Sequence, residues 1–123
     1  MKAGRELDAL IAEKVMGFKL VAEEVEIGKP MHELFRAPNG RGYYHYQLPR
    51  YSTNIADAWE VVEKLVSTPG PNGDHHSVRV DYSGDAVVVI DENEDWQVSA
   101  IAETAPLAIC LAALKAVSQE GQG

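Results

Sequence analysis

The residues whose types and spacing could bind a ligand lie in two short stretches near the middle of the chain. In the first, two hydroxyl residues stand where a helix is predicted to begin, next to a cation and an aromatic ring. The free N–H groups and the positive dipole end of a helix start suit a phosphate or a carboxylate. We therefore predict an anion site at Arg50, Tyr51, Ser52 and Thr53. The alternative is that Ser52 and Thr53 only cap the helix.

The second stretch, residues 41–46, contains an arginine, three tyrosines and a histidine. We expect Arg41 and Tyr44 to add stacking surface for a nucleobase beside the anion site. The alternative is an aromatic strand packed on a sheet. The sequence does not decide whether residues 43–46 form a strand or a loop.

Motifs for catalysis and metal binding are not found. The four histidines lack the spacing of a zinc site. The acidic run 91–95 begins like a calcium loop, but Trp96 stands where glycine is required and Ala102 where glutamate is required. No glycine-rich phosphate loop or nucleophile elbow is present. We expect a protein that is not an enzyme and that uses no metal or cofactor. The histidines are His32, His45, His75 and His76.

Composition narrows the class of protein further. With 123 residues, 46% of them hydrophobic, the chain is expected to form one domain, residues 1–123. A net charge of −8 argues against DNA or RNA as a partner, because phosphates must be neutralised by basic side chains. The single Cys110 fits a reducing compartment, and no apolar run is long enough to span a bilayer. We expect a cytoplasmic protein without a membrane partner.

Three helices position the candidate residues. The first covers residues 5–16 and ends at Gly17; the second follows Ser52 and Thr53. Its apolar stripe contains Trp59, which we expect to pack against a sheet. The third helix, residues 103–117, is apolar nearly all round, so it is buried on two sides, or on one side and against another subunit of a homo-oligomer. We expect Leu111 and Leu114 to be buried in it.

Strand patterns fill the remaining segments. Residues 18–27 are a weak strand candidate, 31–42 have turn chemistry, and 77–82, 86–90 and 96–100 form a meander with turns at 83–85 and 91–95. Three helices with an antiparallel sheet between them indicate a layered α+β domain.

Residues 4–17, 48–65 and 103–117, taken together in this order, resemble the phage and prophage ABA sandwich domain family. The resemblance implies a three-layer α/β/α sandwich, an antiparallel sheet with helices on both faces. It also implies viral origin, but no catalytic mechanism.

The expected function is that of a non-enzymatic phage accessory protein in the host cytoplasm. It would bind a small nucleotide-like ligand and sequester a nucleotide-derived host immune signal. The alternative is a protein-interaction or structural module that acts through its apolar helix surfaces. A hydrolase or metalloenzyme is the third hypothesis.

Overall fold

The computed structural model describes residues 2–23, 32–68, 76–93 and 96–120. Within these ranges the chain forms three α-helices, six β-strands and a short 3-10 turn at His45–Gln47. The helices are α1 (Arg5–Lys14), α2 (Ile55–Ser67) and α3 (Ala105–Glu120). The strands are β1 (Lys19–Glu23), β2 (His32–Arg36), β3 (Gly42–Tyr44), β4 (Ser77–Ser83), β5 (Asp85–Asn93) and β6 (Trp96–Ala102).

The described strands form two antiparallel sheets of three strands each. β1, β2 and β3 make the first sheet in that order, and β4, β5 and β6 make the second. Each sheet is a meander, because each strand pairs with the next one along the chain. The α+β class with antiparallel pairing is therefore confirmed, and the strands are divided between two sheets.

α3 lies at the centre of the packing, as predicted. It contacts β5 and β6 on one side and both other helices elsewhere, and Thr104 caps its start by accepting from the Leu107 N–H at 3.4 Å. Its fully buried positions are mostly alanine, and small side chains let neighbouring elements approach from several directions. Leu111 and Leu114 are only half-buried, so the expectation that they are buried is wrong. The buried residues of this helix are Ala105, Pro106, Ala108, Ile109, Cys110, Ala112, Ala113 and Ala116.

Period-two alternation gives the second sheet its inner face. On β5, Val88 and Ile90 are fully buried, and Val98 and Ala100 on β6 are 4% exposed. These residues belong to the same hydrophobic core as Ile109 of α3. The predicted turn at 83–85 is confirmed by Gly84, whose φ of 99° suits a residue without a Cβ.

Strand pairing produces structure that local patterns did not predict. β2 lies inside 31–42, the segment assigned to turns, because Phe35 is buried and the strand pairs on both sides. Residues 43–46 are divided between the end of β3 and the 3-10 turn. β5 continues to Asn93, which pairs with Trp96, so residues 91–93 of the predicted acidic turn 91–95 belong to a strand, and residues 94–95 lie outside the described ranges. Of the predicted strand 18–27, Lys19–Glu23 is β1 and residues 24–27 lie outside the described ranges.

Fewer apolar residues of α2 are buried than the apolar stripe of its sequence predicted. Ala58, Val61, Val62 and Leu65 are buried where the helix meets α3 and β4. Trp59 is 50% exposed, so the prediction that it packs against the sheet is wrong. The neighbouring elements cover only one flank of the stripe, and two further apolar residues of α2, Ile55 and Val66, are also exposed.

Candidate ligand-binding pocket

The start of α2 is built differently from the anion site that the sequence suggested. Asn54 is the capping residue, and its side chain accepts from the Asp57 N–H at 3.0 Å. Ser52 and Thr53 lie in the preceding turn, so the prediction that they cap the helix is wrong. The Asp57 carboxylate also accepts from the Arg50 N–H at 2.8 Å. The Asn54 amide oxygen and the Asp57 carboxylate already accept from these two donors, and the charge of the carboxylate would repel an anion.

Ser52 instead fastens the loop before α2 to α1. Asp8, which is 1% exposed, accepts from the Ser52 N–H at 2.8 Å and from its hydroxyl at 2.7 Å. The Gly4 N–H donates to the same hydroxyl oxygen at 2.9 Å. On its other oxygen, Asp8 pairs with Arg5 at 3.0 Å. Ser52 is completely buried, so its hydroxyl is a structural group.

The side chain of Tyr51 lines a surface pocket. Tyr51 is only 1% exposed, and none of the described residues forms a hydrogen bond with its hydroxyl. Burial, together with the negative charges of Glu60 and Asp57, raises the pKa of Tyr51 well above its usual range. The hydroxyl therefore stays protonated and can donate to a ligand.

The pocket has a volume of about 410 Å³ and opens between the β2–β3 turn, the loop before α2, and α2 itself. Its wall is mainly apolar and aromatic, and its polar groups are Asn39, Tyr51, Glu60 and Lys64 with the Tyr43 ring beside them. A concave apolar wall with a few polar groups is the usual composition of a small-molecule site. The remaining lining residues are Met16, Phe18, Ala37, Pro38 and Pro49.

Two cations lie near the pocket. The Arg41 guanidinium stands 5.1 Å from the centroid of the Tyr43 ring, and Phe18 packs on that ring at 5.5 Å. Lys64 is one turn from Glu60 on α2, so both side chains face the pocket. Lys64 in the wall and Arg41 beside it are positively charged, and the Glu60 carboxylate in the same wall is negatively charged.

The structure brings some of the predicted site residues together and separates others. Tyr51 lines the pocket and Arg41 stacks on its wall. Tyr44 stacks instead on Tyr46, with 6.1 Å between ring centroids, and does not line the pocket. Arg50 and Thr53 are exposed outside it, and Ser52 is buried against α1.

Sequence reasoning missed Glu60, Lys64 and the proline-containing turn of the pocket. The pair on α2 has the i, i+4 spacing that places two side chains on one helix face, and this signal was present. The sequence predicted turn residues around Pro38 and Asn39 but not that they line a pocket, because only pairing of β2 with β3 places this turn opposite α2.

The chain is similar to known proteins of one family. The sequence model of the phage ABA sandwich domain matches residues 9–114. The chain belongs to the phage ABA sandwich domain family. A crystal structure of a phage protein from Bacillus cereus ATCC 14579 is similar to it, with 30% sequence identity and a TM-score of 0.62. The match covers 96% of this chain and 89% of the Bacillus cereus chain. No curated protein matches the sequence at a significant level.

None of the helices in the described ranges is long and apolar enough to cross a membrane. No three His, Cys, Asp or Glu residues of the described part come together as metal ligands.

Proposed function

We propose that this ABA sandwich protein is a phage accessory protein that binds a small nucleotide-like molecule in the pocket at Tyr51, without chemical turnover. One observation carries the proposal. The Tyr51 hydroxyl is carried by a 1% exposed side chain, lines the pocket, and has no hydrogen-bond partner among the described residues. A ligand in the pocket can accept a hydrogen bond from this hydroxyl.

The other pocket residues indicate what the ligand would look like. An apolar wall that includes Met16 and Phe18 suits a planar ring, and Asn39 and Glu60 offer acceptors for ring N–H groups. Lys64, with Arg41 close by, suits a phosphate. A ring joined to an anionic group is the chemistry of a nucleotide, and about 410 Å³ falls in the size range of ligand pockets.

The protonation state of Tyr51 supports the part of the proposal that the ligand is bound without turnover. Burial keeps Tyr51 protonated, so it acts as a donor and not as a base. A protein of this kind would lower the free concentration of its ligand by holding it. Membership of a phage family supports sequestration of a nucleotide-derived host immune signal in the host cytoplasm as the biological role.

Removing one hydroxyl tests the site. Tyr51→Phe keeps the ring and the packing but deletes the donor. We expect it to weaken binding of adenosine monophosphate by about 0.5–1.5 kcal/mol, the net value of one hydrogen bond. Lys64→Gln should weaken binding of adenosine monophosphate but not of adenosine, and the loss should shrink at high salt. Isothermal titration calorimetry measures both.

Tyr46→Phe is the matched control, because Tyr46 is 75% exposed and does not line the pocket. It should bind like the unmodified protein. If no nucleotide is bound, or if Tyr51→Phe and Tyr46→Phe bind equally well, the pocket at Tyr51 is not the ligand site.

The second candidate function is protein–protein interaction through α2. Three large apolar side chains of this helix are exposed: Ile55 by 52%, Trp59 by 50% and Val66 by 41%. A group of exposed apolar side chains on one element is typical of an interaction surface. A Trp59→Glu variant that loses a stoichiometric protein partner while Tyr51→Phe retains it would favour this function.

A further inference from the structure

The second sheet has two outer strands, β4 and β6, whose free edges differ. On β6, the Lys115 ammonium donates to the Ser99 carbonyl at 2.8 Å. A side chain therefore occupies a backbone acceptor of β6, and a lysine at a sheet edge hinders pairing with another strand. We regard the β6 edge as protected.

β4 has no comparable protection from the described residues. It extends over seven residues and pairs with β5 alone, and no other described strand lies along its second edge. α2 contacts β4, and the buried residues of α2 include Leu65. A strand edge with free N–H and C=O groups is a template for one more strand.

The charges on β4 are self-complementary. Arg79 and Asp81 lie on the outer face of the sheet, 65% and 61% exposed, with 3.3 Å between Arg79 Nε and Asp81 Oδ2. Val80, between them, points to the other face and is half-buried. A charge pattern of plus and minus around one central residue matches its own copy when that copy runs antiparallel.

We propose that β4 pairs antiparallel with β4 of a second copy of this chain, centred on Val80, to form a homodimer with a continuous six-stranded sheet. In this register Val80 faces the partner's Val80, and Arg79 lies directly opposite the partner's Asp81. The two-fold axis repeats that ion pair, so two cross-strand pairs of opposite charge form.

The same pairing brings apolar helix surface together. Residues directly opposite in an antiparallel pair point to the same face, so α2 of both copies lies on one side of the joined sheet. α2 is the helix that contacts β4, and it carries the exposed Ile55, Trp59 and Val66. A second α2 beside the seam would add apolar area to the backbone pairing.

Charge reversal in two separate variants tests the register. In Arg79→Asp, residues 79 and 81 are both acidic; in Asp81→Arg, both are basic. Each variant alone should be a monomer of about 13.5 kDa, whereas the unmodified chain should have twice that mass. Mixed in equal amounts, the two variants should form a heterodimer, because every opposed pair then carries opposite charges. Sedimentation equilibrium measures the masses.

Mixing the two variants distinguishes a role of Arg79 and Asp81 in the dimer interface from a role only in the stability of each chain. Loss of the ion pair within one strand would affect each variant, but mixing two folded monomers would not repair it. Lys19→Asp on β1 reverses an exposed charge in the other sheet and should leave the dimer intact. An unmodified chain that is monomeric, single variants that stay dimeric, or a mixture that stays monomeric would each overturn the proposal.

Discussion

Tyr51 and Ser52 are adjacent, yet their side chains serve different parts of the molecule. The turn before α2 sends the Tyr51 ring towards β3 and the β2–β3 turn, while Ser52 is bonded to Asp8 of α1. Both residues are buried, but of the two hydroxyls only that of Ser52 bonds to described residues. The buried hydrogen bonds of Ser52 fix the backbone next to Tyr51. One residue of this dipeptide therefore stabilises the fold, and the other lines the proposed binding pocket.

Cys110 gives a prediction about alkaline pH. Burial raises the pKa of this thiol from 9.0 to about 12. The folded state therefore holds its proton more tightly than the unfolded state, which contributes stability below pH 9 that is lost as the pH rises towards 12. The free energy of unfolding should fall over this window, and fall less in Cys110→Ala. Urea titrations at several pH values measure it. Equal slopes for the two proteins would show that the thiol is not held protonated by folding.

For single residues, the sequence indicated which side chains could bind a ligand better than it indicated which residues they contact. It predicted Tyr51 and Arg41 as binding residues, and the structure places Tyr51 in the pocket wall and Arg41 beside it. It failed for Ser52, since a serine before a helix gives the same local signal whether it caps or bonds to a distant carboxylate. Asp8 is 44 positions away, and nothing local indicates that pairing.

Among the secondary-structure elements, the helices followed their local patterns and the first sheet did not. α1 and α2 have apolar periodicity, and α3 is apolar nearly all round. The side chains of Asn54 and Thr104 cap α2 and α3. β2 is short, and its neighbours include turn residues, so its existence depends on pairing with β1 and β3. The meander β4–β6 was predictable, because β4 and β6 alternate, β5 contains a continuous β-branched run, and turn residues stand between the strands.

The connection between α1 and the loop before α2 can be tested with two adjacent hydroxyls. Ser52→Ala removes a donor to Asp8 and the acceptor of the Gly4 N–H, so it should lower the free energy of unfolding by about 1–3 kcal/mol. Thr53→Ala, at an exposed position, should change it by less than about 0.5 kcal/mol. Thermal or urea unfolding measures both. Equal changes in the free energy of unfolding would show that the bonds of the Ser52 hydroxyl to Asp8 and Gly4 do not stabilise the fold.

At the scale of the whole molecule, one core joins the two sheets. Phe35 of the first sheet, Ile90 of the second and Ile109 of α3 belong to the same cluster of buried residues. The sequence predicted a layered α+β domain, but not that its strands divide into two sheets. Alternation shows which strands have a buried face; it does not show which strands share a sheet.

A shared core predicts that both sheets unfold in one transition. Phe35→Ala should lower the free energy of unfolding by about 3–5 kcal/mol and Ile90→Ala by about 2–5 kcal/mol, through lost transfer energy and a cavity. Because the two residues contact one cluster, each variant should move the whole transition, with coincident curves from circular dichroism and tryptophan fluorescence. Leu20→Ala is the control, since Leu20 is 45% exposed on β1 and should shift the midpoint little. Two separate transitions, with Phe35→Ala moving one and Ile90→Ala the other, would show that the sheets are independently stable units.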